Sequence, residues 1–268
     1  MGGADWLTAH AIAHRGLHDA SAGVIENTAA AFSAAVAAGY GIETDLQISA
    51  DGEAMVHHDG ALGRLTEGGG VLAEMSAGQI QAVRFKTGGG RILTLGELCD
   101  LVGGRVTLLL ELKSHFDGNL RLVDRTVEVL KGYAGPVAVM SFDPDLIQAV
   151  RYAAPGLRRG IVAERNYSHP EWNQLTGARK QNMTWLLHAP RSRPQFLPIP
   201  SEICLQWHLC LPVGYSDCRY SPGLSNTIGS APRAGPTRSY LKDGDRRSVS
   251  GTRHKPDCFP ARTRAEER

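Results

Sequence analysis

A chain of 268 residues and 28.8 kDa, 42% hydrophobic and 21% charged with a formal net charge of +2, has the make-up of a folded domain. That balance excludes a disordered chain or a strongly basic nucleic-acid binder, and the length suits one α/β barrel of about 250 residues. No run approaches the roughly 18 apolar residues of a membrane span, and MGGADWLTAH lacks the basic and then apolar segments of a leader, so a cytoplasmic protein is expected.

In chain order, the apolar run at residues 11–14 reads as a short strand that stops at His14, Arg15 and Gly16. TAAAFSAAVAAG follows as an alanine-rich helix, with Asn27 or Thr28 as its N-cap and Gly39 as its stop. Residues 42–48 form the next strand. Residues 52–90 break the rhythm with EGGG and TGGG and read as a hairpin-and-loop excursion from the end of that strand. Strands follow at 106–113, 137–142 and 159–164. Between them, NLRLVDRTVEVLKGY sets Leu120, Val123, Val127 and Leu130 on one helical face, and PDLIQAVRYAAPG does the same with Leu146, Ile147 and Val150. The alternation predicts an α/β fold around a parallel sheet. After about Phe196, prolines, serines and arginines crowd in without a 3.6 or 2.0 period, and no regular structure is expected there. Cys99 stands apart from Cys204, Cys210, Cys218 and Cys258; their spacing fits no zinc template, so free thiols are expected.

The chemistry-bearing residues fall at predicted strand ends. Glu43 and Asp45, two apart on one strand, leave on the same face about 6.5–7 Å from one another. A hard divalent cation such as Mg²⁺ or Ca²⁺ would remove their repulsion, although a half-exposed strand face also accommodates such a pair. VTLLLELK is apolar enough to be buried on both faces, yet ends in Glu111 and Lys113. Glu111 could be a third carboxylate ligand with Lys113 aimed at the same place, or the two could form a structural ion pair. His14 closes the first strand, and MVHHDG places His57, His58 and Asp59 after another. Two imidazoles at separate strand ends suit acid and base work near neutral pH, with Arg15 and Lys113 as donors to an anionic oxygen.

The pattern resembles the glycerophosphodiester phosphodiesterase family. HRG at 14–16, ENT at 26–28, ETD at 43–45, HHDGALGRLT at 57–66, LTLGEL at 93–98, ELK at 111–113 and SFD at 141–143 carry the likeness in order and spacing. The resemblance implies a (β/α)₈ TIM barrel over residues 1–196, with the small module at about 52–90 inserted after the second strand. It implies metal ligation by Glu43, Asp45 and Glu111, with Mg²⁺ or Ca²⁺ as cofactor, and catalysis by His14 and His58. Arg15 and Lys113 would meet the phosphate, with Glu26 and Asn27 beside the site; His57 has no family role and is expected to pack. The implied reaction is hydrolysis of a small glycerophosphodiester to sn-glycerol 3-phosphate and an alcohol, without nucleic acid as a partner. The alternative is an impaired barrel that binds metal or phosphodiester without turning it over. The likeness fades beyond about Phe196, and the family's last two strands are not recognisable in residues 197–268, an atypical tail that a reading-frame shift would also produce.

Overall fold

The structure, a computed structural model, describes residues 4–7, 9–164 and 166–198. In chain order the elements are β1 (Ile12–His14), α1 (Ala29–Ala37), β2 (Gly41–Ile48), β3 (Ala54–Val56), β4 (Ala61–Leu62), β5 (Gly70–Val71), α2 (Ala77–Ala82), α3 (Leu95–Val102) and β6 (Leu108–Leu112). Then come α4 (Arg121–Leu130), β7 (Val137–Ser141), α5 (Pro144–Ala153), β8 (Arg158–Ile161), α6 (Gly177–Thr184) and α7 (Ala189–Ser192). Strands β1, β2, β6, β7 and β8 run parallel in that order, and a helix separates most successive pairs. Beyond β8 a further parallel bridge joins Gly160 to Phe196.

Side-chain parity along these strands separates two cores. One face of β2 and β6, carrying Ile42, Leu46, Leu108, Leu110 and Leu112, packs with Phe32 of α1, Leu98 of α3 and Val123 of α4. The other face builds a smaller interior layer from Ile12, Leu109, Ala138, Met140 and Phe196. β6 therefore reads as a continuous apolar run because both its faces are covered, until Glu111 ends the inner one.

The helices start where local chemistry dictates. Thr28 caps α1 by accepting from the Ala31 N–H, and Gly39 past its end takes φ 73°, a conformation open to glycine. Thr94 and Glu97 form a capping box at α3, and Asp143 caps α5 ahead of Pro144. The expected face of α4 needs one correction. Val123, Val127 and Leu130 are buried, but Leu120 precedes the helix and is exposed, while Leu122 and Thr126 complete the buried stripe. α5 buries Leu146, Ile147 and Val150 as its spacing requires.

The excursion at 52–90 leaves the end of β2. β3 pairs antiparallel with β2, Leu46 opposite Val56, and β4 with β5 forms a separate two-stranded ribbon. It carries its own core of Met55, Leu62, Leu72, Ile80 and Phe85, which also takes in Ile25 and Ile92. No helix among the described residues is long and apolar enough to cross a membrane. Cys99 is a buried free thiol. The other four cysteines, and the expectation of an atypical tail at 197–268, fall almost wholly outside the described residues, which reach 198.

Candidate active site

Pairing register gathers the predicted residues without any loop rearrangement. His14 lies opposite Glu43 across β1 and β2, and Asp45 lies opposite Glu111 across β2 and β6. Neighbours in register point to the same face of a parallel sheet, as do Glu43 and Asp45 two apart, so the three acids converge. One oxygen from each of Glu43, Asp45 and Glu111 lies within 4.8 Å of the other two, and all three residues are buried. The Lys113 ammonium, next on that face, stands 2.9 Å from Asp45 Oδ1 and 2.6 Å from Glu111 Oε1. The structural ion pair considered for Glu111 and Lys113 is thus present, and it lies inside the cluster.

The turn after β1 is strained into place. Arg15 takes φ 57° and Gly16 φ 81°; a Cβ on Gly16 would stand 2.9 Å from Ala31 Cβ and 3.0 Å from the Ala31 backbone. This geometry lets the Arg15 N–H donate to Glu43 Oε2 at 3.1 Å, while its guanidinium reaches Glu26 Oε1 at 2.9 Å. Arg15 Nε lies 3.4 Å from Asp45 Oδ2 without hydrogen-bond alignment, which leaves a buried donor uncommitted beside the acids. Asn27, also left-handed at φ 56°, donates from Nδ2 to Asp45 Oδ2 at 3.0 Å and accepts from Thr44 Oγ1 at 2.7 Å. His14 Nε2 is 3.9 Å from Glu43 Oε2.

The second histidine enters from the excursion. The His57 N–H donates to the Asp45 carbonyl and its ring is buried, which agrees with a packing role. His58 is partly exposed; its Nδ1 is 2.7 Å from Asp59 Oδ1, and its carbonyl accepts from Gln47 Nε2 at 2.9 Å. His14, Arg15, Asn27 and Lys113 thus stand against the three acids, while Glu26 meets Arg15 and His58 meets Asp59 on the excursion.

Burial and neighbouring charges set the electrostatics of the cluster. Burial pushes the Glu43 carboxyl well above its usual range, and the neighbouring Asp45 and Glu111 add to the effect. Burial also raises Glu111, against the pull of Lys113. Asp45 feels the same burial, but Lys113, His58 and Arg15 outweigh it and hold this carboxyl below the ordinary range. Burial works against the Lys113 ammonium, yet Glu111 and Asp45 keep it firmly protonated. Burial, followed by Arg15, lowers His14. Three buried carboxylates facing two cations, with only hard oxygen donors in the cluster, form a set that could hold a metal ion.

Two groups of contacts were not foreseen from the sequence. Arg64 donates from Nε to Asp59 Oδ2 at 2.6 Å and from Nη2 to Glu26 Oε1 at 2.7 Å. Beyond β6 and β7, Ser114 Oγ donates to Asp143 Oδ2 at 2.6 Å, and Arg179 Nη2 bridges Asp143 and Asp145. Asp59 and Arg64 stand in the HHDGALGRLT motif with His58, which was a signal. The contact of Arg64 with Glu26, 38 positions earlier, is set by tertiary structure and left none.

The model of the glycerophosphoryl diester phosphodiesterase family matches residues 14–196. A glycerophosphodiester phosphodiesterase of Caldanaerobacter subterraneus subsp. tengcongensis is 32% identical over 169 residues, 59% of this chain and 68% of that protein. Glycerophosphodiester phosphodiesterase 1 of Bos taurus is 33% identical over 218 residues, 74% of this chain and 59% of the bovine protein. Among solved structures, an Oleispira antarctica phosphodiesterase in complex with the product sn-glycerol-3-phosphate superposes with a TM-score of 0.60 at 22% identity, covering 75% of this chain and 78% of that one. A glycerophosphodiester phosphodiesterase from Thermotoga maritima gives 0.54 at 24% identity, covering 74% and 76%. These neighbours are TIM barrels, and the parallel order of β1, β2, β6, β7 and β8 with its surrounding helices belongs to the same α/β class.

Proposed function

This chain belongs to the glycerophosphoryl diester phosphodiesterase family, and from that premise we propose that it hydrolyses small glycerophosphodiesters to sn-glycerol 3-phosphate and an alcohol. The observation that carries the proposal is the convergence of Glu43, Asp45 and Glu111 within 4.8 Å, with His14, Arg15 and Lys113 against them. Glu43, Asp45 and Glu111 would hold the metal, Mg²⁺ or Ca²⁺, which when bound supplies a Lewis acid for phosphodiester oxygens.

The chain's own residues do the rest. Arg15 and Lys113 offer cationic donors to the phosphate, and Glu26 and Asn27 fix Arg15 and Asp45 where the anion arrives. One of His14 and His58 takes the proton from the attacking hydroxyl; the other gives a proton to the alcohol oxygen as its bond to phosphorus breaks. The buried acids beside His14 and the ion-paired turn carrying His58 hold the two rings at separate stations around the mouth. Residues 1–196, with the excursion at 52–90, form the catalytic unit in this proposal, and the tail at 197–268 lies outside it; we place the enzyme in the cytoplasm.

The test is incubation with glycerophosphocholine and Mg²⁺ or Ca²⁺, with coupled detection of glycerol 3-phosphate. Turnover is expected, is abolished by a chelator, and falls at least about 100-fold in His14→Ala, the range of general acid–base catalysis. Binding of metal without any turnover would overturn the proposal in favour of a barrel that only binds.

A further inference from the structure

An unbroken row of side-chain contacts runs from Arg15 to His58. Arg15 Nη1 meets Glu26 Oε1 at 2.9 Å, Arg64 Nη2 meets the same oxygen at 2.7 Å, Arg64 Nε meets Asp59 Oδ2 at 2.6 Å, and Asp59 Oδ1 meets His58 Nδ1 at 2.7 Å. Arg64 is the member that joins the excursion, which carries His58, to the segment between β1 and α1, which carries Glu26. It uses two different nitrogens of its guanidinium, so two carboxylates restrain its plane, and through Asp59 it restrains the His58 ring beyond.

We propose that Arg64, anchored on Glu26, is a positioning residue that holds the His58 ring toward the phosphodiester through Asp59. The inference rests on the reading of His58 as a member of the acid–base pair. An ionised carboxylate only accepts hydrogen bonds, and Arg64 with His58 holds Asp59 in that state against its partial burial, so His58 Nδ1 carries the proton. Nε2 is then the nitrogen left for proton transfer. The His58 ring turns about two side-chain bonds, and Asp59, adjacent in sequence, restrains it only as far as Asp59 is itself held.

A surface ion pair would contribute little and would touch stability alone. The two roles separate in kinetics. Arg64→Met is expected to lower kcat about 10- to 100-fold with KM changed less than about three-fold. Asp59→Asn is expected to fall similarly, and the double variant to fall no further than the worse single one, because both act through one ring. Arg64→Lys, which can meet only one carboxylate well, is expected to recover less than half of the lost kcat. A second readout needs no turnover: nitrogen-15 spectra of the His58 ring are expected to show the Nδ1–H tautomer as the dominant form in the native chain and a tautomer mixture in Arg64→Met.

If the native enzyme shows no activity on glycerophosphocholine, the functional reading fails, and the ring spectra alone decide the positioning role. Retention of kcat within two-fold in Arg64→Met, additive losses in the double variant, or an unchanged His58 tautomer would each overturn the proposal.

Discussion

At the scale of single residues, the fold tolerates groups in states they would not choose in water, and each has an identifiable cause. Arg15 and Asn27 accept left-handed backbone at a cost on the order of 1–3 kcal/mol each, and both point side chains at Asp45 as a result. His188, outside the mouth, is the other kind of case. It is 1% exposed, its Nδ1 meets Ser192 Oγ at 2.9 Å, and its Nε2 has no partner. Burial, followed by Arg191 and Arg179, pushes the ring down to about 4 from the usual 6.5. Between those values the unfolded chain binds a proton that the native chain refuses, so stability falls as pH drops through about 6.5 and the loss is complete below about 4. Urea unfolding of the native chain at pH 7 and pH 4.5 should differ by about 2–3 kcal/mol more than in His188→Gln, from 1.36 kcal/mol per unit. Equal pH dependence in the two proteins would show that the ring is not buried neutral.

At the scale of elements, β8 has a neighbour that no sequence period announces. Phe196 is 4% exposed, bridges to Gly160, and packs into the inner layer with Leu109 and Met140. A Cβ at Gly160 would stand 2.3 Å from Phe196 Cε2 and 2.6 Å from two other ring atoms, closer than any contact can be held. Gly160→Ala should therefore cost about 1–3 kcal/mol, the range of overpacking. Phe196→Ala should cost about 3–5 kcal/mol. Because the clash is with this ring, Gly160→Ala should be nearly neutral in the Phe196→Ala background; additive losses in denaturant melts would place the ring elsewhere. The parallel strands themselves were legible because each is an apolar run ended by chemistry-bearing residues, and the alternation survived with boundaries moved by a few residues. Glu43, Asp45 and Glu111 were legible because period-two spacing fixes their face. Leu120 misled because helical spacing does not say where a helix begins. Arg64 was silent because its partners are set by where the excursion folds back, and Phe196 because a lone ring after two proline-broken turns has no period to display.

At the scale of the whole molecule, the three buried acids of the candidate site burden the fold. β2 and β6 sit at the middle of the parallel order, so Glu43, Asp45 and Glu111 lie where both flanks depend on the pairing of those two strands. Glu43 is the least compensated of the three: burial and the two nearby carboxylates all oppose its charge, and among the described residues its oxygen accepts the Arg15 N–H and approaches His14. Without metal, Glu43→Gln keeps an acceptor for that N–H and removes one buried like charge, so it should raise the unfolding free energy by about 1–3 kcal/mol. With metal the order should reverse. A ligand that binds only the folded chain adds about 2.7 kcal/mol at a hundred times its Kd, so the native protein should gain several degrees in Tm on titration with Mg²⁺ or Ca²⁺. Glu43→Gln, lacking one ligand, should gain little. Melting curves of the two proteins with chelator and with saturating metal would test both halves at once. A native chain already more stable than Glu43→Gln without metal would mean that the three acids are neutralised by Lys113 and Arg15 alone, and that no divalent cation is required to balance them.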